Sequence, residues 1–242
     1  MLKKKNISVS MATYNGEKFI RQQLDSIINE IGIDDEIIIS DDSSNDNTVS
    51  IIKSYNDKRI KLFENQKFKS PLLNFEFAIS HAVNDLIFLS DQDDLWVKGR
   101  VEIMKTALEH ADLVVSDFSI IDESNNIILP SYFTKYPLRA KPGIIRNLWR
   151  HSFSGCCMAF RKEILKKALP FPKDVYTYHD FWIGFVANLF YKIKFIQKPL
   201  TLYRSHTNNV SSGSKLKSSN SIYNKILFRW NIIKHLPSLF LR

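Results

Sequence analysis

The 242-residue chain predicts an α/β fold, with a Rossmann-like, mostly parallel central sheet flanked by helices. Three observations carry that expectation. Short apolar runs at 7–11, 36–40 and 86–90 have the length of buried strands rather than helices. Between them, apolar residues recur at helical spacing, and strand–helix alternation is the signature of a parallel sheet. Each run also ends in a polar loop, and in open α/β sheets ligands bind at the carboxyl ends of strands.

The elements follow in order. After the first run, Phe19, Ile20, Leu24, Ile27, Ile28 and Ile31 mark a helix. After the second, Val49, Ile51, Ile52 and Tyr55 mark a shorter one, and Phe75, Ala78, Ile79 and Ala82 another before Asp85. Residues 95–111 read as the next helix, with Val97, Val101, Met104 and Leu108 on one face, and 113–116 as a further strand. From residue 118 short runs are broken by turn residues at 122–126, Pro130, Pro137 and Pro142-Gly143, with no linker between the two regions. Residues 179–191 are apolar at helical spacing, and 200–203 read as a late strand. The Ser-rich stretch 211–221 has mobile-loop composition. Residues 222–236 form an amphipathic basic helix, with Ile222, Ile226, Trp230 and Ile233 against Lys225, Arg229 and Lys234.

Composition bounds the class. An apolar share of 44% is ordinary for a globular domain. No apolar stretch approaches the ~20 residues of a membrane-spanning helix. The basic start, Met1 to Lys5, is not followed by the apolar core of a signal peptide, so a cytoplasmic location is expected. Cys156 and Cys157 are adjacent, a spacing that rarely reaches disulfide geometry, and read as buried thiols. The net charge of +9 is unevenly placed: residues 181–242 hold 10 of the 34 Lys and Arg and none of the 25 acids, Asp180 being the last. That asymmetry points to an anionic partner, nucleic acid or a membrane surface, and no recognised nucleic-acid motif accompanies it.

The chemistry concentrates in three loops that a parallel sheet brings to one edge: Thr13-Tyr14-Asn15-Gly16, Asp41-Asp42-Ser43-Ser44 and Asp91-Gln92-Asp93-Asp94. Three acids in one turn repel one another unless a cation arrives, and hard divalent ions such as Mg²⁺ or Mn²⁺ prefer oxygen ligands. A nucleotide fits this inventory. Tyr14 flanks a base, Asp41 or Asp42 accepts from a base N–H or ribose hydroxyl, and Asp93 holds a metal on the diphosphate. The competing account makes these acids helix caps and turns. It serves each loop singly but not the three together. Neither a Gly-x-x-x-x-Gly-Lys-Ser/Thr loop nor a Gly-x-Gly-x-x-Gly turn is present, which argues against P-loop ATPases and dinucleotide dehydrogenases.

Residues 8–16, Asp41 to Thr48 and Asp91-Gln92-Asp93-Asp94 resemble the successive signatures of family 2 glycosyltransferases, with Asp91 and Asp93 matching the Asp-x-Asp element. Ser154 to Met158, Tyr178 to Trp182 and Tyr203 to Asn209 resemble motifs of a bacterial branch that includes rhamnosyl- and galactosyltransferases of surface polysaccharide assembly. The match runs from about residue 7 to residue 210, in order. It implies a GT-A fold over 1–210, with a nucleotide-binding half (1–117) and a small mixed acceptor-side half (118–210), followed at 211–242 by linker and basic helix. It also implies an inverting mechanism with Asp180 as base, Asp93, Asp91 and His206 around Mg²⁺ or Mn²⁺, Thr13, Tyr14, Asn15, Asp41, Asp42, Asp91 and Trp182 at the substrates, and Arg204 contacting phosphate or acceptor. For Trp182, core packing is the favoured account. Many family members carry Glu-Asp where this chain has His179-Asp180, leaving one carboxylate rather than two.

The expected activity is transfer of a sugar from a UDP- or dTDP-linked donor to a saccharide acceptor. That acceptor is lipid-linked, and the enzyme is peripheral at the inner face of the cell membrane. Packing of the basic helix on the domain or on a second subunit, as in a homodimer, is its other reading. The rival from another class is a non-catalytic nucleotide- or carbohydrate-binding partner subunit of an assembly complex. A nucleotidyltransferase lacks its glycine-rich loop here, and a His/Asp phosphohydrolase needs more ligands than six dispersed histidines supply.

Overall fold

The computed structural model describes residues 5–149, 152–172, 178–207 and 229–241. Within them, Ile7–Thr13 (β1), Glu36–Asp41 (β2), Ile60–Phe63 (β3), Leu86–Ser90 (β4), Leu95–Trp96 (β5), Leu113–Ile121 (β6), Ile127–Leu129 (β7), Met158–Arg161 (β8) and Ile193–Arg204 (β9) form one sheet. Its order is β3-β2-β1-β4-β8-β6-β9-β5, with β7 paired to β6. The first four strands in that order are held by parallel ladders among β1, β2, β3 and β4. Beyond them, β8 is antiparallel to both β4 and β6, β9 runs parallel to β6, and β5 caps the edge antiparallel to β9. In register, Thr13 faces Asp41 and Met11 faces Ser90, so the loops after β1, β2 and β4 leave the sheet at one level.

Helices Ile20–Ile28 (α1), Thr48–Ser54 (α2), Pro71–Ser80 (α3), Arg100–Leu108 (α4), Tyr132–Lys135 (α5), Ile144–Trp149 (α6), Leu165–Ala168 (α7) and His179–Phe190 (α8) cover the sheet. The strands are buried on both faces and divide their side chains between two cores. Ile38, Ile87 and Leu89 join Phe75, Ala78, Trp182 and Phe185 on the α3 and α8 side. Ile37, Ile39, Leu86 and Phe88 join Ile20, Leu24, Met104 and Leu108 on the α1 and α4 side. Alternation with period two is what allows one strand to serve both.

Several expectations change. Residues 95–111 are not one helix: Leu95 and Trp96 pair with Leu202 and Thr201, and the helix begins at Arg100 after Gly99. Gly99 sits at φ +83, a left-handed conformation that glycine adopts without a Cβ penalty and that stops α4 from reaching back. Strands β3 and β8 were not anticipated, being four residues each. The strand expected at 113–116 runs on to Ile121 with Ser116, Asp117 and Ser119 buried in it. Asp117 accepts hydrogen bonds from Ser131 Oγ (2.5 Å) and Phe133 N (2.8 Å), so its burial costs no lost partner. The change of character expected at 117/118 therefore falls inside β6.

Residues 222–228 of the expected basic helix, and the stretch 211–221, lie outside the described residues. In the described part, Ile232 and Leu239 are the side chains that enter the core, whereas Trp230 is exposed. Arg229 donates to the Leu148 carbonyl at 2.7 Å, and the Phe190 and Phe240 rings meet edge to face. This segment thus packs on its own domain. Among the described residues, no helix is long and apolar enough to cross a membrane.

Candidate active site

The loops after β1 and β2 are laced together by short-range polar contacts. Thr13 Oγ1 donates to Asp41 Oδ2 (2.8 Å), whose carboxylate also accepts from Ser44 N and Ser44 Oγ. Asn15 donates its backbone N–H to Ser44 Oγ, and its side-chain oxygen accepts from Asn45 N. Asn15 and Ser43 both hold positive φ, 47° and 63°, in the left-handed region that costs non-glycine residues energy and that clusters at functional sites. Tyr14 is left 54% exposed between these loops. Asp42 is half-buried; one oxygen accepts from Phe68 N at 2.7 Å.

The acid turn after β4 is clamped to the first loop by Gln92, whose amide accepts from Tyr14 N (2.9 Å) and donates to Tyr14 O (3.0 Å). Gly16 makes room for it, since a Cβ there would run into the Gln92 amide. The turn precedes a two-residue strand, not a helix, so helix capping does not account for its three carboxylates. Asp93 Oδ2 lies 2.8 Å from His206 Nε2. Asp94 Oδ1 accepts from Arg204 N at 2.9 Å. Burial, with Asp93 and Asp180 nearby, pushes the Asp91 carboxyl up to about 8. Burial and the same crowding of acids push Asp94 well above the usual carboxylate range.

Asp180 sits in the first turn of α8, near enough to Asp91 to help raise its carboxyl. Its Oδ2 accepts from Gly155 N at 3.1 Å and its Oδ1 from Phe181 N at 2.7 Å. His179 stacks on Phe75 with ring centroids 3.7 Å apart. Gly155 is packed so closely that a Cβ would meet His179 Nε2 at 2.6 Å. Gln92 and Gly155 are site residues that sequence reasoning did not single out. One reads as the spacer of Asp-x-Asp and the other as a member of a small-residue run, and only their distant partners reveal a role.

Residues 8–169 match the family described as Glycosyl transferase family 2. The chain belongs to that family. A glycosyltransferase of Methanocaldococcus jannaschii, uncharacterised, is 31% identical over 95% of this chain and 81% of its own length. The dTDP-rhamnosyl transferase RfbG of Shigella flexneri is 28% identical over 89% and 80%. The UDP-Glc:alpha-D-GlcNAc-diphosphoundecaprenol beta-1,3-glucosyltransferase WfgD of Escherichia coli is 27% identical over 69% and 64%. Among solved structures, S. aureus TarS 1–349 in complex with UDP-GlcNAc superposes with a TM-score of 0.68 at 17% identity, covering 96% of this chain and 73% of that one. The fold of this family 2 glycosyltransferase is the expected GT-A arrangement.

Two residues expected at the substrates are engaged elsewhere in the glycosyltransferase. Trp182 is fully enclosed in the core and donates its indole N–H to the Ala168 carbonyl at 2.8 Å, so it lines no part of the crevice. Arg204 is also fully buried. Its guanidinium donates to Asp93 O, Asp122 O, Glu123 O, Asn125 Oδ1 and Gln22 Oε1 and lies 4.7 Å from the centre of the Phe19 ring. It ties the acid turn to the 122–125 turn and α1, and no face of it is open to phosphate. Arg204→Ala leaves these acceptors unmet and is expected to cost about 3–5 kcal/mol, on the order of 10 °C in melting temperature. A variant that melts like the parent yet has lost nucleotide affinity would return Arg204 to a phosphate-binding role.

The raised Asp91 carboxyl makes stability depend on pH. In the unfolded chain it ionises near ~4, and in the folded glycosyltransferase only near about 8. Between those values the folded state binds more protons, so this group's stabilisation is fully present below the lower value and fades as pH rises to the upper one. Metal-free melting temperatures should therefore fall from pH 5 to pH 8, and Asp91→Asn should flatten that slope. Equal slopes in parent and variant would assign the effect to another group.

Proposed function

We propose that this chain is an inverting, divalent-metal-dependent hexosyltransferase. It moves a sugar from a UDP- or dTDP-linked donor to a saccharide acceptor, lipid-linked, in bacterial surface polysaccharide synthesis. The observation that carries this reading is the closeness of the acid turn to Asp180, whose carboxylate is held at a helix start by Gly155 N and Phe181 N. The relatives named for dTDP-rhamnosyl transfer and for a diphosphoundecaprenol-linked acceptor support the donor and acceptor classes.

The nucleoside side falls to the first two loops. Tyr14, the exposed aromatic, flanks the base, with Thr13 and Asn15 shaping the loop that presents it. Asp41 spends its carboxylate on Thr13 and Ser44, so Asp42 is the better acceptor for a base N–H. Uracil and thymine offer the same N3–H, which leaves both donors admissible.

The donor set suits a hard divalent ion. Asp93 supplies oxygen, His206 supplies nitrogen within 2.8 Å of it, and Asp91 adds charge that burial and its neighbours otherwise disfavour. Asp93 and His206 would hold Mg²⁺ or Mn²⁺, assisted by Asp91. When bound, such an ion offsets the charge gathering on the departing diphosphate. Manganese is present in the solved complex of the mannosyltransferase PcManGT from Pyrobaculum calidifontis with GDP-Man, whose TM-score to this chain is 0.61.

The reaction asks one thing of Asp180. A sugar hydroxyl is a poor nucleophile, and the carboxylate takes its proton as the oxygen attacks the anomeric carbon. The bond from that carbon to the diphosphate breaks on the opposite face, inverting the centre without a covalent enzyme intermediate. The N–H groups of Gly155 and Phe181 fix the two carboxylate oxygens, and the anion complements the N-terminus of α8. The exposed Trp230, Phe240 and Leu241, with the acid-free stretch 181–242 of the sequence, suit a peripheral seat on an anionic membrane.

Calorimetric titration with UDP, dTDP, GDP and ADP, each with and without Mn²⁺, tests the donor class. Heat of binding with UDP or dTDP that requires the metal is the expected result. Binding of none of them, with metal and lipid vesicles present, would sink the reading.

A further inference from the structure

A second set of donors meets at the acid turn, and it is chemically unlike the Asp93–His206 pair. One carboxylate oxygen from Asp91, one from Asp94 and the Cys156 thiol lie within 4.8 Å of one another. Asp94 is 1% exposed, and its Oδ2 is sealed from solvent with no donor beyond the weak S–H of Cys156. The polar group it faces is the Cys156 thiol. No described residue donates a hydrogen bond to the Asp91 carboxylate, which is half-buried near Asp93 and Asp180. A buried carboxylate oxygen without a partner is costly, and each such group in a folded protein calls for an explanation. Cys157, whose sulfur is 3.8 Å from that of Cys156, stands outside the cluster.

We propose that Asp91, Asp94 and Cys156 form a binding site for one thiophilic divalent cation, of the class of Zn²⁺ or Cd²⁺. Donor softness decides the class: a thiolate with two carboxylates suits zinc-like ions, whereas Mg²⁺ and Mn²⁺ take oxygen and seldom thiolate. Three protein ligands leave a fourth position open, as in zinc sites that also accept water or a substrate group. Binding forms a sulfur–metal bond and releases the thiol proton to solvent, with no change of oxidation state. Because Asp91 also belongs to the nucleotide crevice, a zinc-like ion here blocks the donor site while the Asp93–His206 pair stays intact. That inhibitory consequence rests on the proposed function; the site itself does not.

Cobalt(II) is the probe for the site, since its thiolate complexes absorb in the near ultraviolet through sulfur-to-metal charge transfer. With the full chain, one equivalent of Co²⁺ is expected to produce that band. The band survives in His206→Ala and in Cys157→Ser, disappears in Cys156→Ser, and is displaced by Zn²⁺ but not by Mn²⁺. Absence of the band in the parent, or its persistence in a Cys156→Ser variant whose circular dichroism matches the parent, overturns the site. The inhibition is read separately, with Mn²⁺ saturating. Cys156→Ser is expected to raise the Zn²⁺ concentration for half-inhibition by roughly 10–100-fold, a range that even outer-shell partners of a metal command. Equal inhibition of parent and variant would mean that zinc acts at Asp93 and His206, and would overturn the regulatory part alone. The cobalt band needs no turnover, so failure of the transferase reading and failure of this site remain distinguishable.

Discussion

Asp180→Asn is expected to lower kcat by roughly 10²–10⁴-fold, the range that a positioned general base contributes, while the affinity for UDP or dTDP with Mn²⁺ stays within about twofold. Asparagine keeps the shape of the side chain and one oxygen to accept from Gly155 N or Phe181 N. It has no anionic carboxylate oxygen to take the hydroxyl proton. The fold should survive, because α8 is anchored by Phe181, Trp182, Phe185 and Val186 in the core rather than by the Asp180 side chain. The measurements are single-turnover transfer rates and calorimetric nucleotide affinities on the same preparation. A rate within a few-fold of the parent would remove Asp180 from the mechanism. A parallel loss of nucleotide affinity would make it a binding residue instead.

Asp93→Ala should act on the other half of the cycle. With the carboxylate gone, His206 loses the partner 2.8 Å away, and the pair can no longer share an ion. Loss of one charged ligand is worth on the order of 3 kcal/mol, so metal-dependent nucleotide affinity should fall about 100-fold. Affinity without metal should barely change, because Tyr14 and Asp42 are untouched. Two titrations of each protein, with Mn²⁺ and with chelator, separate these terms. A variant that still gains as much affinity from Mn²⁺ as the parent would move the metal away from Asp93.

The strands that carry the site are visible in the chain because their signal is local. Residues 7–11, 36–40 and 86–90 are apolar enough to be buried on both faces, and each is followed at once by its polar loop. Asp93 with His206 is legible only as a motif in order. Their 2.8 Å contact spans 113 positions of sequence. Residues 95–111 misread because helical spacing extends one turn past Gly99, and the pairing of Leu95 with Leu202 that overrides it is again long-range. Arg204 shows the same limit most sharply. An arginine beside a histidine near a phosphate site invites a phosphate contact, but its acceptors come from Gln22, Asp93 and the 122–125 turn.

What the sequence determined by itself, then, is the kind of fold and the edge at which its chemistry gathers, because periodicity and loop composition are properties of neighbouring residues. The tertiary structure decided which acids are spent. Asp41 is consumed in holding Thr13 and Ser44, Asp42 keeps an oxygen to offer, and Asp94 turns an unmet oxygen towards Cys156. A carboxylate's role depends on how many donors reach it and how much water it retains. Both are set by residues that the chain brings back from far away.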